Sequence, residues 1–149
     1  MSDQMIVRSI ARSDFAPWAS LWEGYNRFYK RVIPAEVTQM TWSRFFDSYE
    51  PVYALVAERK QKLVGLVHYL FHRNTAMLGP PCYLQDLFTD EESRGGGVGR
   101  ALIEAVCERA RDASATRVYW HTHETNLTAR ALYDSVAEHS GFIVYGKTI

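Results

Sequence analysis

Residues 83–102, YLQDLFTDEESRGGGVGRAL, form the stretch that decides the fold. Residues 83–89 are rich in aromatic and branched side chains, which is typical of a β-strand. A polar turn at residues 90–93 separates them from the glycines between Arg94 and Arg100. After the glycines, apolar residues recur at helical spacing. The stretch therefore predicts a buried strand, a glycine loop and the start of a helix.

The glycine loop has the properties of an anion site. The first N–H groups of a helix have no intrahelical acceptor, and the helix dipole favours negative charge there. Glycines let the backbone approach a phosphate closely. A Walker loop is excluded, because Arg100-Ala101 follow Gly99 where Lys and Ser or Thr are required. The Rossmann spacing fails from both Gly95 and Gly97. The loop is therefore predicted to bind a phosphate-bearing ligand of another class.

The loop fits a different pattern, Arg-x-x-Gly-x-Gly, formed by Arg94, Gly97 and Gly99. This pattern resembles the acetyl-CoA pyrophosphate loop of the GNAT superfamily of N-acetyltransferases. The Tyr-Leu-x-Asp-Leu-Phe strand before the loop stands at the distance that is usual in that family. Strand and loop together are a more specific signal than the loop alone.

The C-terminal part of the chain carries further features of this family. Asn126 stands seven residues before Tyr133 on the last predicted helix, and Gly141-Phe142 follow. Residues 83–89 and 118–126 are most similar to the histone and polyamine acetyltransferase branch. The resemblance covers essentially the whole chain, so we expect residues 1–149 to form a single N-acetyltransferase domain.

The pattern of apolar residues and breakers predicts elements in the order of the GNAT fold, β-α-α-β-β-β-α-β-α-β. The resemblance implies an α/β fold whose central mixed sheet has two splayed parallel strands and is flanked by helices. We predict strands at 5–11, 52–58, 63–72, 83–89, 116–122 and 142–147, and helices at about 15–30, 35–48, 98–112 and 126–138.

Composition excludes several classes of function. With 17 basic and 17 acidic residues, the chain has no footprint for nucleic acid or a membrane surface. Cys82 and Cys107 are too few for a disulfide framework and fit a reducing compartment. The N-terminus shows no signal-peptide pattern, and the longest apolar-rich stretch, residues 63–71, is too short to span a membrane. We therefore expect a soluble, cytoplasmic protein with neither nucleic acid nor a membrane as a partner.

The resemblance implies a site for acetyl-CoA between the two splayed strands, with CoA as a product. The backbone N–H of Leu87 would donate to the oxyanion. Asn126 would bond the pantetheine arm or the phosphate region, and Tyr133 would be the general acid near the sulfur. The expected cofactor-binding residues are Leu87, Phe88, Thr89, Arg94, Gly95, Gly96, Gly97, Val98, Gly99, Arg100, Asn126 and Tyr133.

Gln85 departs from the polyamine branch, in which a glutamate at this position serves as the general base through water. An amide cannot accept a proton at neutral pH. Asp86, Glu124, a histidine such as His121 or His123, or water could replace it, or the acceptor differs. The expected acceptor-binding residues are Tyr25, Tyr29, Gln85, Asp86 and Glu124. The histidines lack a suitably spaced partner set, so no metal site is expected.

Two functions remain open. The first is an acetyl-CoA-dependent N-acetyltransferase whose acceptor attacks directly in a ternary complex. The acceptor would be a primary amine: a small amine, a polyamine, an amino acid or a lysine side chain. Tyr133 supports this function, although it could be only a core aromatic, and Asn126 could be only a helix cap. The second is a catalytically weak acyl-CoA-binding protein acting as a sensor or partner subunit, which Gln85 favours. The resemblance also implies a homodimer.

Overall fold

A computed structural model describes residues 4–149 of the chain. Five strands form one mixed sheet in the order β1-β2-β3-β4-β5, in which only β4 and β5 are parallel. The strands are β1 (Ile6–Ser9), β2 (Val52–Arg59), β3 (Lys62–Phe71), β4 (Cys82–Thr89) and β5 (Val118–Tyr119). The helices are α1 (Phe15–Phe28), α2 (Ala35–Arg44), α3 (Val98–Asp112) and α4 (Leu127–Val136). The predicted α/β fold class is confirmed.

The two faces of the sheet bury two separate apolar cores. On one face, α3 packs Leu102 and Val106 against strand residues such as Val67. On the other face, α1 packs Trp18 against residues such as Leu66. Neighbouring residues of β3 supply opposite cores because side chains alternate along a strand. Each fully buried side chain of this size contributes about 1.5–3 kcal/mol.

A β-bulge in β4 decides which of its residues face α1. His68 pairs with Asp86, but Tyr69 pairs with Leu84, so Gln85 has no partner on β3. Leu84 packs into the core on the α3 side. Asp86 instead shares its face of the sheet with His68, because residues directly opposite in an antiparallel pair point the same way. As a result, Asp86 is buried while its neighbour Gln85 is exposed.

The two parallel strands separate almost at once. β4 and β5 pair only through Cys82 with Val118 and Tyr83 with Tyr119. Within the described residues, the ladder does not continue along the rest of β4. The strand predicted at 116–122 is therefore shorter than expected. Among the described residues, those after Tyr119 do not pair with β4. This separation opens a cleft between the backbones of the two strands.

Most predicted boundaries hold within a few residues, and helix 98–112 holds at both ends. Helix α2 ends at Arg44 rather than at residue 48, and Asn126 caps α4 instead of lying inside it. None of the helices in the described part of the chain is long and apolar enough to cross a membrane.

The predicted final strand at 142–147 is wrong, because the structure has no strand there. Phe142, Ile143, Val144 and Tyr145 are between 69% and 89% exposed. A strand is stabilised by the ladder to its neighbour, and no strand among the described residues pairs with this segment. Four consecutive exposed apolar residues form a surface that is expected to be covered in solution.

We expect this segment to pair with the open edge of β5 in a second copy of the chain, which would give a symmetric homodimer. Light scattering at micromolar concentration should then give twice the 17.1 kDa mass of the chain. Replacing both Phe142 and Val144 with Ser should yield a monomer with unchanged secondary structure by circular dichroism. An unsubstituted chain that remains monomeric would contradict this expectation.

Candidate active site

The glycine loop places free backbone N–H groups at the N-terminus of α3. Gly97 is the N-cap of α3 with φ of 82°, and Gly95 has φ of 84°, a region that side-chain-bearing residues rarely adopt. A Cβ at either position would meet no atom of the described residues within 4 Å, so both glycines border open space in this part of the chain. No side chain among residues 4–149 caps α3. An anion can therefore approach the first N–H groups of the helix.

The loop glycines and their neighbours do not all serve the same purpose. A Cβ on Gly99 would lie 3.1 Å from Leu132 Cδ2, so this glycine lets α3 and α4 approach closely. Val98 is 1% exposed, so only its backbone can contact a ligand. Phe88 turns its ring toward α1, where it lies 6.1 Å from the Tyr25 ring. These residues can therefore contribute to a cofactor site mainly through their backbone.

Arginines surround the loop, and one of them was not predicted. Arg59, at the end of β2, donates from Nη2 to the Gly96 carbonyl at 3.3 Å. Arg94 reaches back to the Thr89 carbonyl at 3.4 Å. It also borders an open cavity of about 340 Å³ between α1 and the end of β4. Arg59 carries no motif and lies 37 residues from Gly96, so only the fold reveals its place. Positive charge beside free N–H groups suits a pyrophosphate.

The residues around the cleft fit a bound acyl-CoA. Thr122 follows β5, and its buried Oγ1 has no hydrogen-bond partner within the described residues. Such orphaned polar groups are uncommon in folded proteins and often mark the place where a ligand or water binds. Asn126 accepts through Oδ1 from the Ala129 N–H at 3.3 Å, so it is the N-cap of α4. Its side-chain N–H₂ remains able to donate to the pantetheine arm.

Tyr133 has the protonation state that an acid needs. Its ring makes an edge contact with Trp120 at 5.4 Å. Burial, with a smaller effect of Tyr29, raises the pKa of Tyr133 to about 12. The hydroxyl therefore keeps its proton at neutral pH. Because a thiol has a pKa of about 8.5, the Tyr133 hydroxyl is suited to stabilising a thiolate by hydrogen bonding rather than by complete proton transfer.

A buried hydrogen-bond chain runs from α1 to β4. Trp18 Nε1 donates to His68 Nε2 at 3.1 Å, and His68 Nδ1 lies 2.9 Å from Asp86 Oδ2. An indole N–H can only donate, so His68 Nε2 must be the acceptor and the ring proton of neutral His68 sits on Nδ1. Nδ1–H then donates to the Asp86 carboxylate. Sequence reasoning missed both Trp18 and His68 as site residues, because each fits an apolar core position.

Tyr25 lies beside the same carboxylate. Burial raises the pKa of Tyr25, and the nearby charge of Asp86 raises this pKa further. Tyr25 therefore stays protonated beside the Asp86 carboxylate. Arg31 lies 5.5 Å from the ring centroids of both Tyr25 and Tyr29. The structure thus brings together Tyr25, Tyr29 and Asp86, three of the expected acceptor-binding residues. It also places the Arg31 guanidinium beside them.

Other expected residues lie apart from this cluster. The Glu124 side chain is exposed, and its backbone carbonyl accepts a hydrogen bond from Arg130. His121 Nδ1 lies 3.1 Å from the Tyr83 hydroxyl, and His123 bonds Thr125. In the part of the chain that the structure describes, no His, Cys, Asp or Glu residues form a group that could hold a metal ion.

The splayed parallel strands and the glycine loop at α3 define the class of acyl-CoA-dependent transferases. Residues 18–137 match the Acetyltransferase (GNAT) family, and the chain belongs to this family. The D-amino-acid N-acetyltransferase HPA3 of Saccharomyces cerevisiae is 34% identical over 99% of this chain and 92% of the relative. The uncharacterized N-acetyltransferase YhfO of Bacillus subtilis is 26% identical over 95% of each chain. The protein is therefore an N-acetyltransferase that uses acyl-CoA.

Solved structures agree on the fold. Aminoglycoside N-acetyltransferase AAC(6')-Iy in complex with CoA superposes with a TM-score of 0.85 at 14% identity, covering 99% of this chain and 97% of the other. A ribosomal-protein-alanine N-acetyltransferase from Brucella melitensis biovar Abortus 2308 gives a TM-score of 0.82 at 19% identity, covering 97% and 99%.

The loop assignment can be tested by a pair of substitutions of nearly equal size. Gly97→Asp should abolish the rise in melting temperature that acetyl-CoA causes, because its carboxylate would repel the pyrophosphate. Gly97→Asn should keep much of that rise, since Asn tolerates the left-handed backbone as well as Asp does. Equal loss in both folded variants would mean that backbone strain, not charge, disrupts binding.

Proposed function

We propose that the protein transfers an acetyl group from acetyl-CoA to the amino group of a small acceptor that also carries a carboxylate, such as an α-amino acid. The observation that carries this proposal is the buried Asp86 carboxylate beside Tyr25, with the Arg31 guanidinium near the same ring. Asp86 would bind the amino group and Arg31 the carboxylate. The relative named as a D-amino-acid N-acetyltransferase supports the same class of acceptor.

The charges of the site favour a zwitterion over a polycation. Arg31 uses Nε to donate to Asn26 Oδ1 at 2.7 Å, which leaves its two terminal nitrogens for a carboxylate. Gln85 is neutral, so the bulge offers one carboxylate rather than two. A polyamine would find one carboxylate instead of two, and its positive charges would be repelled by the Arg31 guanidinium. An amino acid pairs both of its charges.

Gln85 also fits an acceptor that needs little help in losing its proton. The attacking nitrogen must be neutral, and a lysine-type amine has a pKa of about 10.4. An α-amino group is less basic than a lysine side chain, so water can take its proton more readily. Asp86 would then orient the amine rather than act as the principal base. Holding the reacting groups together can supply roughly 7–11 kcal/mol of the barrier reduction.

The chain's own groups have distinct roles in this reaction. Acetyl-CoA supplies the activated acyl group. The backbone N–H of Leu87 would donate to the acyl oxygen, and Tyr133 would donate to the departing sulfur. Neither cysteine suits a covalent route, since burial raises the pKa of Cys82 to about 12 and also raises that of Cys107. This supports direct attack by the amine in a ternary complex.

A panel of acceptors with acetyl-CoA and a thiol-release readout tests the proposal. D- and L-amino acids should react faster than spermidine or N-α-blocked lysine. Tyr133→Phe should lower kcat by about 10²-fold, because the departing thiolate loses a hydrogen-bond donor, while acetyl-CoA affinity stays near wild type. Tight acetyl-CoA binding without thiol release from any acceptor would instead support the sensor function, which Gln85 also favours.

The pH profile reports on the missing base. The rate should rise with pH toward the pKa of the acceptor amine, because no enzymic carboxylate takes the proton earlier. Gln85→Glu should move this rise to lower pH and improve cationic acceptors, while Gln85→Ala should leave its midpoint unchanged. A wild-type profile that is already flat from pH 7 upward would show that another residue acts as the base.

A further inference from the structure

We propose that Trp18 and His68 are positioning residues that hold the Asp86 carboxylate in place for the acceptor's amino group. Trp18 fixes the tautomer of His68, and His68 fixes one oxygen of Asp86. The inference rests on the proposed function, because it assigns a purpose to the carboxylate that would bind the amine. It differs from a catalytic role, since neither Trp18 nor His68 touches the reacting atoms.

The chain of hydrogen bonds has only one consistent direction. Trp18 is fully buried, His68 is 2% exposed and Asp86 is 7% exposed, so the protein supplies the polar contacts of all three. The indole can only donate, and an ionised carboxylate can only accept. The neutral imidazole between them must therefore accept at Nε2 and donate at Nδ1. The opposite tautomer would place an N–H against the indole N–H and a lone pair against the carboxylate.

Aromatic rings close off His68 and prevent the tautomer from exchanging through water. The ring centroids of Phe45 and Trp22 lie 4.9 Å and 5.2 Å from that of His68. Among the described residues, Asp86 is the charged side chain that reaches the imidazole. In such a dry environment each hydrogen bond is strong and directional, and an unpaired member is strongly disfavoured.

The arrangement matters because Asp86 has two oxygens with different partners. Oδ2 is taken by His68, which leaves Oδ1 for other donors. Tyr25, on α1, lies beside the same carboxylate. A carboxylate held by one oxygen presents the other in a fixed direction. Binding energy is then not lost to ordering the side chain when the amine arrives.

Two tryptophans on α1 provide a matched pair for the test. Trp18→Phe removes the N–H that donates to His68. Trp22→Phe removes a buried N–H that donates to no described residue, although Trp22 contacts the same imidazole ring. Both changes keep an aromatic ring in the same core. They therefore separate the hydrogen bond from the packing.

Acceptor binding should be measured by calorimetry in the presence of CoA, with D-phenylalanine as the probe. We expect Trp18→Phe to raise the Kd of the amino acid at least tenfold, with the Kd of CoA changed less than twofold. Trp22→Phe should leave both within twofold of wild type. His68→Asn, whose amide can still donate to Asp86, should bind the probe more tightly than His68→Leu. The proposal would be overturned if Trp18→Phe and Trp22→Phe weakened amino-acid binding equally, or if His68→Asn and His68→Leu did.

Nitrogen NMR of histidine-labelled protein gives a readout that does not depend on activity. The wild type should show His68 protonated at Nδ1 and unprotonated at Nε2, and Trp18→Phe should shift this pattern toward the other tautomer. A wild-type Nε2–H tautomer would overturn the proposal even in an active enzyme. Amino-acid binding that depends on Trp18, together with no thiol release from amino acids, would support the positioning role while refuting the proposed acetyl transfer to amino acids.

Discussion

The separation of β4 from β5 after only two residue pairs is the constraint on which the rest of the structure depends. Parallel strands normally continue their ladder, because unpaired backbone groups inside a protein are costly. We propose that an extended arm of acyl-CoA completes the hydrogen bonding at the open edge of β4. The glycine loop comes directly after the same strand, so the open edge and the anion site belong to one continuous segment.

The bulge at Gln85 turns the Asp86 side chain of β4 toward α1. One extra residue in β4 changes the face to which the next side chains point, so Leu84 packs toward α3 while Asp86 packs toward α1. Bulges often occur next to active sites, where they redirect a side chain. A buried carboxylate without partners would cost several kcal/mol, and the hydrogen bond from His68 offsets part of that cost. The aromatic residues of α1 therefore form a core and, through Trp18 and His68, also stabilise the charged Asp86 carboxylate.

The sequence was most informative where structure is local. The strand, loop and helix over 83–112 can be predicted from residue type and spacing within one stretch, and Tyr133 and Asn126 from their spacing on one helix. Arg59 and His68 could not be found this way, since they meet Gly96 and Trp18 across 37 and 50 residues of chain. The strand at 142–147 failed for a related reason. A run of apolar and branched residues forms a strand only when a neighbouring strand is available, and among the described residues this segment has none.

We propose that a fixed Asp86 carboxylate receives the acceptor's amine beside the acyl-CoA cleft. A crystal structure with CoA and D-phenylalanine is the decisive test of this arrangement. We expect the pyrophosphate at the N-terminus of α3 and the amino nitrogen within about 3 Å of an Asp86 oxygen, which is hydrogen-bond distance. An amino nitrogen bound elsewhere, for example against Glu124 with Asp86 sealed behind Tyr25, would contradict it.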